Sequence, residues 1–284
     1  MADETTAAPQ GFTSLEVAEA LAPTWHSRRE EIEAVCTPLR ELMVRELDPQ
    51  PGDTVLELAA GTGETGFDAA ERLGEAGRLI SSDFSRGMVD GARRRGEERG
   101  IENAEYRVLD AERIELVGDS VDGAICRFGY MLMEDPAAAL AETRRVLRAG
   151  GRLVLSVWSP PDRNPFFMIP ARSLVQRGHL PPPEPPPAPG LFSMADPERT
   201  AALLRDAGFE QARTEELTLT FPPPSAEAFV EFMADTAGPI AMALRRLSEP
   251  DRAEVVADVA ESLAPFAADG GYRLPSLALV TVAR

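Results

Sequence analysis

The sequence of 284 residues contains no lysine, so all 29 of its basic residues are arginine. A chain without lysine cannot form a lysine Schiff base, and it lacks the lysine of the nucleotide-hydrolase phosphate loop. Acidic residues number 47, which gives a formal net charge of −18. Because nucleic acids and anionic membranes bind basic surfaces, we expect no nucleic-acid partner and no membrane partner.

Cysteine and histidine are almost as scarce. The two cysteines are Cys36 and Cys126, and the two histidines are His26 and His179. Their wide separation provides neither the ligand spacing of a zinc site nor a disulfide framework, so we predict no bound metal. No run of 18 consecutive apolar residues is present, and the N-terminus is acidic. We therefore expect a cytoplasmic protein. Either a monomer or a homodimer is expected.

The segment VLELAAGTGETG, residues 55–66, organises the rest of the sequence. Its apolar start follows the turn Pro51-Gly52-Asp53 and predicts a buried strand. Three glycines spaced G-x-G-x-x-G then open a segment of helical composition. Glycine is required in such a turn because a side chain would hold a nucleotide away from the backbone. The helix that follows offers free amide donors at its N-terminus.

The glycine spacing alone fits a nicotinamide or flavin dinucleotide as well as S-adenosylmethionine (SAM). Glu57 separates these cases, because an acid four residues before the first glycine is poorly placed beside a pyrophosphate but suits the amino group of a methionine. With Glu57 included, V-L-E-L-A-A-G-T-G resembles the first motif of the class I SAM-dependent methyltransferases. The run RVLRAGGRLVLSVW, which ends at Trp158, resembles a late motif of the ubiquinone- and menaquinone-biosynthesis branch, with Ala149 in place of the usual proline.

The resemblance implies SAM as the cofactor. Asp83 ends the second predicted strand 20 residues after Gly63, which suits a carboxylate that accepts hydrogen bonds from both ribose hydroxyls. Plain helix capping is the alternative for Asp83, and a plain turn is the alternative for Asp110, which the resemblance assigns to the adenine amino group. The predicted cofactor-binding residues are Glu57, Ala59, Gly61, Gly63, Asp83, Phe84, Met88, Asp110, Ala111 and Arg127.

Alternating strand and helix patterns predict an α/β fold with a doubly wound, Rossmann-like sheet of seven mostly parallel strands. From the resemblance we take the strand order 3-2-1-4-5-7-6, with an antiparallel last strand over residues 273–283. Pro23 is expected to separate two N-terminal helices, so that Trp25 and His26 open the second. The predicted division comprises a tail with covering helices (1–47), a SAM-binding core (48–159), a cap insertion (160–195), a core continuation (196–222), a helical cap insertion (223–270) and the final strand (271–284). Residues 1–13 are predicted to be disordered, and residues 181–187 to form polyproline.

The resemblance implies methyl transfer to a small-molecule acceptor. Met131, Leu132 and Met133 stand where many sugar O-methyltransferases of this fold have histidines, which indicates an apolar acceptor. We expect an aromatic or isoprenoid-like molecule, such as a product of secondary metabolism or a quinone precursor. The predicted acceptor contacts are Trp25, Phe128, Tyr130, Met131, Met133, Phe166, Phe167 and Met168. The candidates for a general base are His26, Tyr130, Glu134 and His179.

Two other functions remain open at this stage. A SAM-binding regulatory protein without transfer activity would carry the same cofactor motifs. A nicotinamide-dependent oxidoreductase would use the same glycine turn, although a chain without lysine has no Y-x-x-x-K pair. Packing of the insertions onto the core is the alternative role of the apolar side chains.

Overall fold

The computed structural model describes residues 13–182 and 189–284. Most of the predicted disordered tail and most of the predicted polyproline segment lie outside the described residues. The longer helices are α1 (Ser14–Ser27), α2 (Arg29–Leu47), α3 (Glu64–Leu73), α4 (Arg86–Arg99), α5 (Pro136–Val146), α6 (Pro165–Gln176), α7 (Pro197–Asp206), α8 (Ala226–Thr236), α9 (Pro239–Leu244) and α10 (Glu249–Leu263). The strands are β1 (Thr54–Glu57), β2 (Arg78–Asp83), β3 (Ala104–Val108), β4 (Val121–Arg127), β5 (Leu147–Trp158), β6 (Ala212–Phe221), β7 (Ala267–Ala268), β8 (Gly271–Tyr272) and β9 (Leu274–Ala283).

Seven strands form one sheet in the order β3-β2-β1-β4-β5-β9-β6. The first five pair in parallel, and β9 inserts antiparallel between β5 and β6. This arrangement confirms the predicted Rossmann-like fold, its strand order and its antiparallel last strand. The strand order reverses between β1 and β4, and ligands of such sheets bind at the carboxyl ends of the strands beside that switch point.

Helices cover both faces of the sheet. Helices α2 and α3 pack against each other and against strands of the sheet, and α4 packs on β2 and β3. Helix α5 packs against β5 and α7. Among the described helices, none combines the length and the apolarity that a crossing of the bilayer requires.

The predicted break at Pro23 is wrong, because α1 continues through this proline to Ser27 and the chain turns at Arg28. Trp25 and His26 therefore lie in the last turn of α1. Thr24 Oγ1 donates a hydrogen bond to the carbonyl oxygen of Asp235 (2.7 Å), and Trp25 Nε1 donates one to that of Thr236 (3.0 Å). These contacts with the end of α8 offset the single helical hydrogen bond that a proline removes.

The cap helices share one hydrophobic core with the sheet. Phe166 of α6 stacks on Phe221 of β6, with ring centroids 3.7 Å apart, and lies 5.2 Å from Phe229 of α8. The buried amide of Asn164 donates to the carbonyl oxygen of Ser159 and accepts from the amide of Leu277. The segment predicted as a cap insertion thus shares buried contacts with β6, β9 and α8.

Candidate functional site

The carboxyl ends of β1, β2 and β4 meet around the glycine-rich turn that joins β1 to α3. Ala59, Gly61 and Gly63 all adopt positive φ angles there, of 51°, 56° and 85°. A Cβ atom added to Gly61 would meet nothing within 4 Å, so this position faces open space. A Cβ atom at Gly63 would instead strike the ring of Phe67. The first glycine therefore leaves room for a ligand, and the second allows α3 to pack closely.

The side chain of Glu57 forms hydrogen bonds that connect this turn to β2. Its side chain is 2% exposed, Oε1 accepts a hydrogen bond from the amide of Gly66 (2.7 Å), and Oε2 accepts one from the hydroxyl of Ser81 (2.9 Å). Burial raises the pKa of this carboxyl to about 8. A Cβ atom on Gly66 would collide with the carboxyl group, which explains the third glycine of the motif. The expected contact between Glu57 and the methionine amino group stays a prediction.

Asp83 lies beside the turn and is 5% exposed. One carboxylate oxygen accepts from the amide of Gly61 (3.0 Å), and the other accepts from the amide of Ser85 (2.9 Å). The cap of α4 is Ser85, whose hydroxyl accepts from the amide of Met88, so Asp83 is not the helix cap. Each carboxylate oxygen retains a second acceptor position, as two ribose hydroxyls would require. Burial raises the pKa of Asp83 to about 6.

The residues expected to contact adenine follow the carboxyl ends of β2 and β3. Phe84 comes directly after Asp83 and is 39% exposed, whereas Met88 is buried in the first turn of α4. The amide of Leu109 donates to the carbonyl oxygen of Asp83 (2.9 Å), which brings Asp110 and the buried Ala111 to the same edge. Asp110 also accepts from the amide of Glu112, so it closes a turn as well.

Two threonines in and next to the glycine-rich turn have buried hydroxyls whose hydrogen bonds are unsatisfied within the described structure. Thr62 and Thr65 are buried, and their Oγ1 atoms have no hydrogen-bond partner among the described residues. Burying a hydroxyl without a partner is unfavourable, and a polar group of a ligand bound in the turn would offset that cost for these two threonines. Together with the open space at Gly61 and the free acceptor positions of Asp83, these residues fit SAM.

The side chain of Arg127 points behind the site. Its guanidinium donates to Glu33 of α2 (2.7 Å), and Glu33 also pairs with Arg40, which in turn binds Asp68 of α3 (2.8 Å). Its guanidinium is therefore engaged with α2, and the expected contact of the Arg127 backbone with the methionine end of SAM stays a prediction. Sequence reasoning missed Glu33 and Arg40, although their spacing of seven residues places both on one face of α2.

A chain of aromatic rings begins directly after Arg127. Phe128, at a φ angle of 59°, stacks on Trp158 with centroids 4.0 Å apart and an interplanar angle of 13°. Trp158 meets the edge of Phe167 at 5.0 Å, and Phe167 lies 6.3 Å from Phe192. We call these four residues the aromatic wall. It runs from the end of β4 to the cap, and it joins Phe128 and Phe167, which the sequence predicted, to Trp158 and Phe192, which it missed.

The loop after β4 lies against the glycine-rich turn. A Cβ atom on Gly129 would stand 2.6 Å from the Cβ atom of Ala59 and 2.6 Å from Cys126 Sγ. Met131, further along this loop, is buried, and its carbonyl oxygen accepts from the amide of Gly190 and the hydroxyl of Ser193. Met133 packs against the core. Glycine at position 129 thus permits close contact between the expected cofactor turn and the expected acceptor loop.

The four candidates for a general base differ in their surroundings. Tyr130 is fully buried with its hydroxyl 2.6 Å from that of Thr143, and Glu134 is exposed. His26 packs on α4 with Nε2 3.5 Å from the carbonyl oxygen of Gly87, and burial lowers its pKa. His179 follows α6. Within the described residues, none of the four forms a hydrogen bond or a ring contact with the aromatic wall.

A cavity of about 730 Å³ lies between α6, α10 and the ends of β6 and β9. Met168 lines it, together with Arg172 and Leu277. Met168 and Arg172 lie on the face of α6 opposite Phe166 and Phe167, so the cavity is separated from the aromatic wall by the helix. Of the predicted acceptor contacts, Met168 therefore lies on the outer side of the cap, and Trp25 serves to join α1 to α8.

Comparison with known proteins shows similarity to methyltransferases. Residues 55–151 match the methyltransferase domain family. Demethylmenaquinone methyltransferase from Deinococcus radiodurans is 31% identical over 182 residues, which cover 59% of this chain and 70% of that protein. Nocamycin O-methyltransferase from Saccharothrix syringae is 28% identical over 242 residues, which cover 82% of this chain and 85% of that protein.

Solved structures support the fold. The [4+2]-cyclase SpnF aligns over 97% of both chains with a TM-score of 0.59 and 18% sequence identity. Similarity at that level reflects the fold alone. The chain spans 33% to 54% of the length of the first three curated relatives that it matches.

Proposed function

The chain belongs to the class I SAM-dependent methyltransferases, and from that premise we propose that it methylates a small, largely apolar acceptor. We infer an aromatic or isoprenoid-like molecule, such as a product of secondary metabolism or a quinone precursor. The observation that carries this proposal is the aromatic wall, which begins at Phe128, one residue beyond the end of β4. Trp158 and Phe167 are buried in the middle of the wall, and Phe128 and Phe192 at its two ends are partly exposed. These partly exposed rings would offer apolar contacts that suit a flat apolar ligand.

The cofactor side of the proposal rests on the glycine-rich turn. Asp83 would accept hydrogen bonds from the ribose, and Asp110 and the amide of Ala111 would face the adenine. Thr62 and Thr65 would complete hydrogen bonds that the protein leaves open. SAM supplies an activated methyl group on a sulfonium. The protein's own contribution is to hold the two reactants in contact and to exclude water.

The acceptor side rests on how the cap is attached. Helix α1 is joined to α8 by Trp25, and α6 places Phe167 against Trp158. Under this proposal, both insertions cover the end of the sheet that carries the glycine-rich turn. The names of the two relatives described above also refer to small-molecule acceptors, a quinone precursor in one case and nocamycin in the other. Their names support the class of acceptor and do not identify it.

Incubation of the purified protein with SAM and an acceptor panel tests the proposal. The panel contains naphthoquinols, phenols, polyketide-like acids, isoprenoids, sugars and peptides, and S-adenosylhomocysteine is measured by mass spectrometry. We expect product with flat apolar acceptors and none with sugars or peptides. SAM binding without transfer to any member would favour the alternative of a SAM-binding protein that does not transfer methyl groups. Tighter binding of NAD than of SAM would contradict the cofactor assignment.

A further inference from the structure

A buried ion pair lies at the carboxyl end of β4. Arg127 is the last residue of this strand, and its guanidinium donates to Glu33 Oε1 of α2 (2.7 Å). The side chains of Arg127 and Glu33 are only 9% and 11% exposed. A buried ion pair adds little net stability, because removing both charges from water is costly. This pair is therefore better explained by the geometry that it imposes than by the stability that it adds.

The pair belongs to a series of ion pairs that connects β4 to three helices. The second carboxylate oxygen of Glu33 pairs with Arg40, and Arg40 Nε donates to Asp68 of α3 (2.8 Å). Asp68 also accepts from Arg99 of α4 (3.1 Å). Arg99 donates in turn to Glu64 (2.6 Å), which is buried and begins α3 directly after the glycine-rich turn. The series thus links the end of β4 to the first residue of α3.

The backbone that follows Arg127 has an unfavourable conformation. Phe128 adopts a φ angle of 59°, which is rare for a residue with a Cβ atom and persists only where neighbouring groups hold it. The amide of Phe128 donates to the carbonyl oxygen of Ser156 (2.9 Å), and its ring stacks on Trp158. The ion pair of Arg127 with Glu33 restrains the backbone on the other side of Phe128. Three contacts therefore hold this strained residue in place.

The loop after β4 lies beside the part of the expected cofactor site that adenine and ribose leave free. Asp83, expected to bind ribose, ends β2, and Asp110, expected to bind adenine, follows β3. The strand order β3-β2-β1-β4 then leaves the ends of β1 and β4 for the methionine part of SAM. A Cβ atom on Gly129 would stand 2.6 Å from that of Ala59, so the loop lies directly against the glycine-rich turn at this place.

We propose that Glu33 is a positioning residue for the methionine end of SAM. Glu33 is buried in α2 and acts through Arg127, whose side chain it fixes on the far side of the loop. A fixed Arg127 keeps the backbone of the loop after β4 at the distance that the amino acid part of the cofactor requires. The inference requires that the protein bind SAM. It goes beyond the proposed acceptor and does not depend on it.

Two ligands separate this role from a general contribution to folding. S-adenosylhomocysteine carries the amino acid part, whereas 5′-methylthioadenosine has the same adenine, ribose and thioether sulfur but ends in a methyl group. In Glu33→Gln we expect the affinity for S-adenosylhomocysteine, measured by calorimetry, to fall by about tenfold, the effect of one lost hydrogen bond. The affinity for 5′-methylthioadenosine should change by less than about twofold. The matched control is Glu31→Gln, because Glu31 also lies on α2 and pairs with Arg28 but is 57% exposed. It should leave both affinities unchanged.

A double-mutant cycle tests whether Glu33 acts through Arg127. The double variant Glu33→Gln, Arg127→Met removes both charges, so it leaves no unpaired charge buried and should fold even if Glu33→Gln does not. We expect it to lose affinity for S-adenosylhomocysteine but not for 5′-methylthioadenosine, and to lose no more than Arg127→Met alone.

Four outcomes would overturn the inference. These are an equal loss of affinity for both ligands, an unchanged affinity of Glu33→Gln for S-adenosylhomocysteine, parental affinity in the double variant, and additive losses in the cycle. If the parent protein binds neither ligand, the cofactor assignment itself fails, and the inference fails with it. The proposed acceptor is tested separately, because none of these measurements contains an acceptor.

Discussion

At the scale of the residue, two buried carboxyl groups control the expected cofactor site. Removal of the Asp83 carboxylate in Asp83→Ala should delete two hydrogen bonds to ribose, each worth about 1.5–3 kcal/mol. We expect SAM affinity to fall by at least one hundredfold in calorimetry. Asp90→Ala is the control, because Asp90 lies half-exposed on α4 and, within the described part of the chain, its ion pair is with Arg93. Unchanged affinity in Asp83→Ala would show that the ribose assignment is wrong.

The pKa of Asp83 gives this site a pH dependence. Burial raises that pKa to about 6 in the free protein, and ribose hydroxyls donate to the ionised form. SAM should therefore bind with constant affinity above pH 6 and more weakly below it, by up to tenfold per pH unit. Calorimetry between pH 5 and 8 checks this expectation. An affinity that does not change across this range would mean that the charge of Asp83 is not used.

Glu57 is predicted to make the free protein less stable as pH rises. Its pKa is raised from 4.5 to about 8, so the unfolded chain loses this proton first, and the free energy of unfolding falls between these two values. Glutamine cannot ionise and keeps an oxygen for the amide of Gly66. In urea denaturation, the free energy of unfolding of Glu57→Gln should increase relative to that of the parent as pH rises from 5 to 9, by roughly a few kcal/mol.

The control for that measurement is Glu115→Gln, since Glu115 is largely exposed. It should follow the parent at every pH. A stability difference between Glu57→Gln and the parent that is the same at pH 5 and pH 9 would contradict the assignment of a raised pKa to Glu57.

At the scale of the element, α1 packs against α4 where the imidazole of His26 lies against Gly91. A Cβ atom on Gly91 would overlap the imidazole of His26. Gly91→Ala should therefore destabilise the protein by roughly 1–3 kcal/mol through overpacking and increase hydrogen exchange in α1. In the His26→Ala background the same change should stabilise α4 by up to about 1 kcal/mol, because alanine favours helix over glycine.

The stability change caused by Gly91→Ala should have opposite signs in the parent and in the His26→Ala background. This difference distinguishes the steric contact with His26 from the helix propensity of alanine. A double-mutant cycle measured by thermal denaturation should give an interaction energy well above the additivity error of about 0.5 kcal/mol. Additive effects of the two substitutions would show that α1 does not seat on α4 through this pair.

At the scale of the whole molecule, one continuous core predicts one unfolding transition. The cap and the sheet share buried side chains such as Phe166, Phe221 and Phe229, so neither has a core of its own. At one hundred times its Kd, SAM should add about 2.7 kcal/mol to stability and raise the Tm by about 5 °C. NAD at the same concentration should leave the Tm unchanged. Two resolved transitions in calorimetry would show that the cap unfolds separately.

The sequence by itself determined the fold and the cofactor motifs. Strand and glycine patterns are local, since burial alternates along one segment and a tight turn needs glycine wherever it occurs. Residues 55–66 and Asp83 were identified for that reason, and the strand order followed from the family resemblance. The absence of lysine excluded whole classes of chemistry before any contact was known.

Only the tertiary structure decided which side chains meet. Trp158 and Phe192 joined Phe128 and Phe167 in the aromatic wall through contacts between distant segments, which no local pattern records. The helix through Pro23 was kept by hydrogen bonds to α8, more than 200 residues away, because tertiary contacts outweigh the local preference of a single proline. The buried hydroxyl of Tyr130 pairs with that of Thr143, and the imidazole of His26 packs on α4. Burial and partnership of a polar side chain depend on the whole fold, and so the chemistry available to the acceptor does as well.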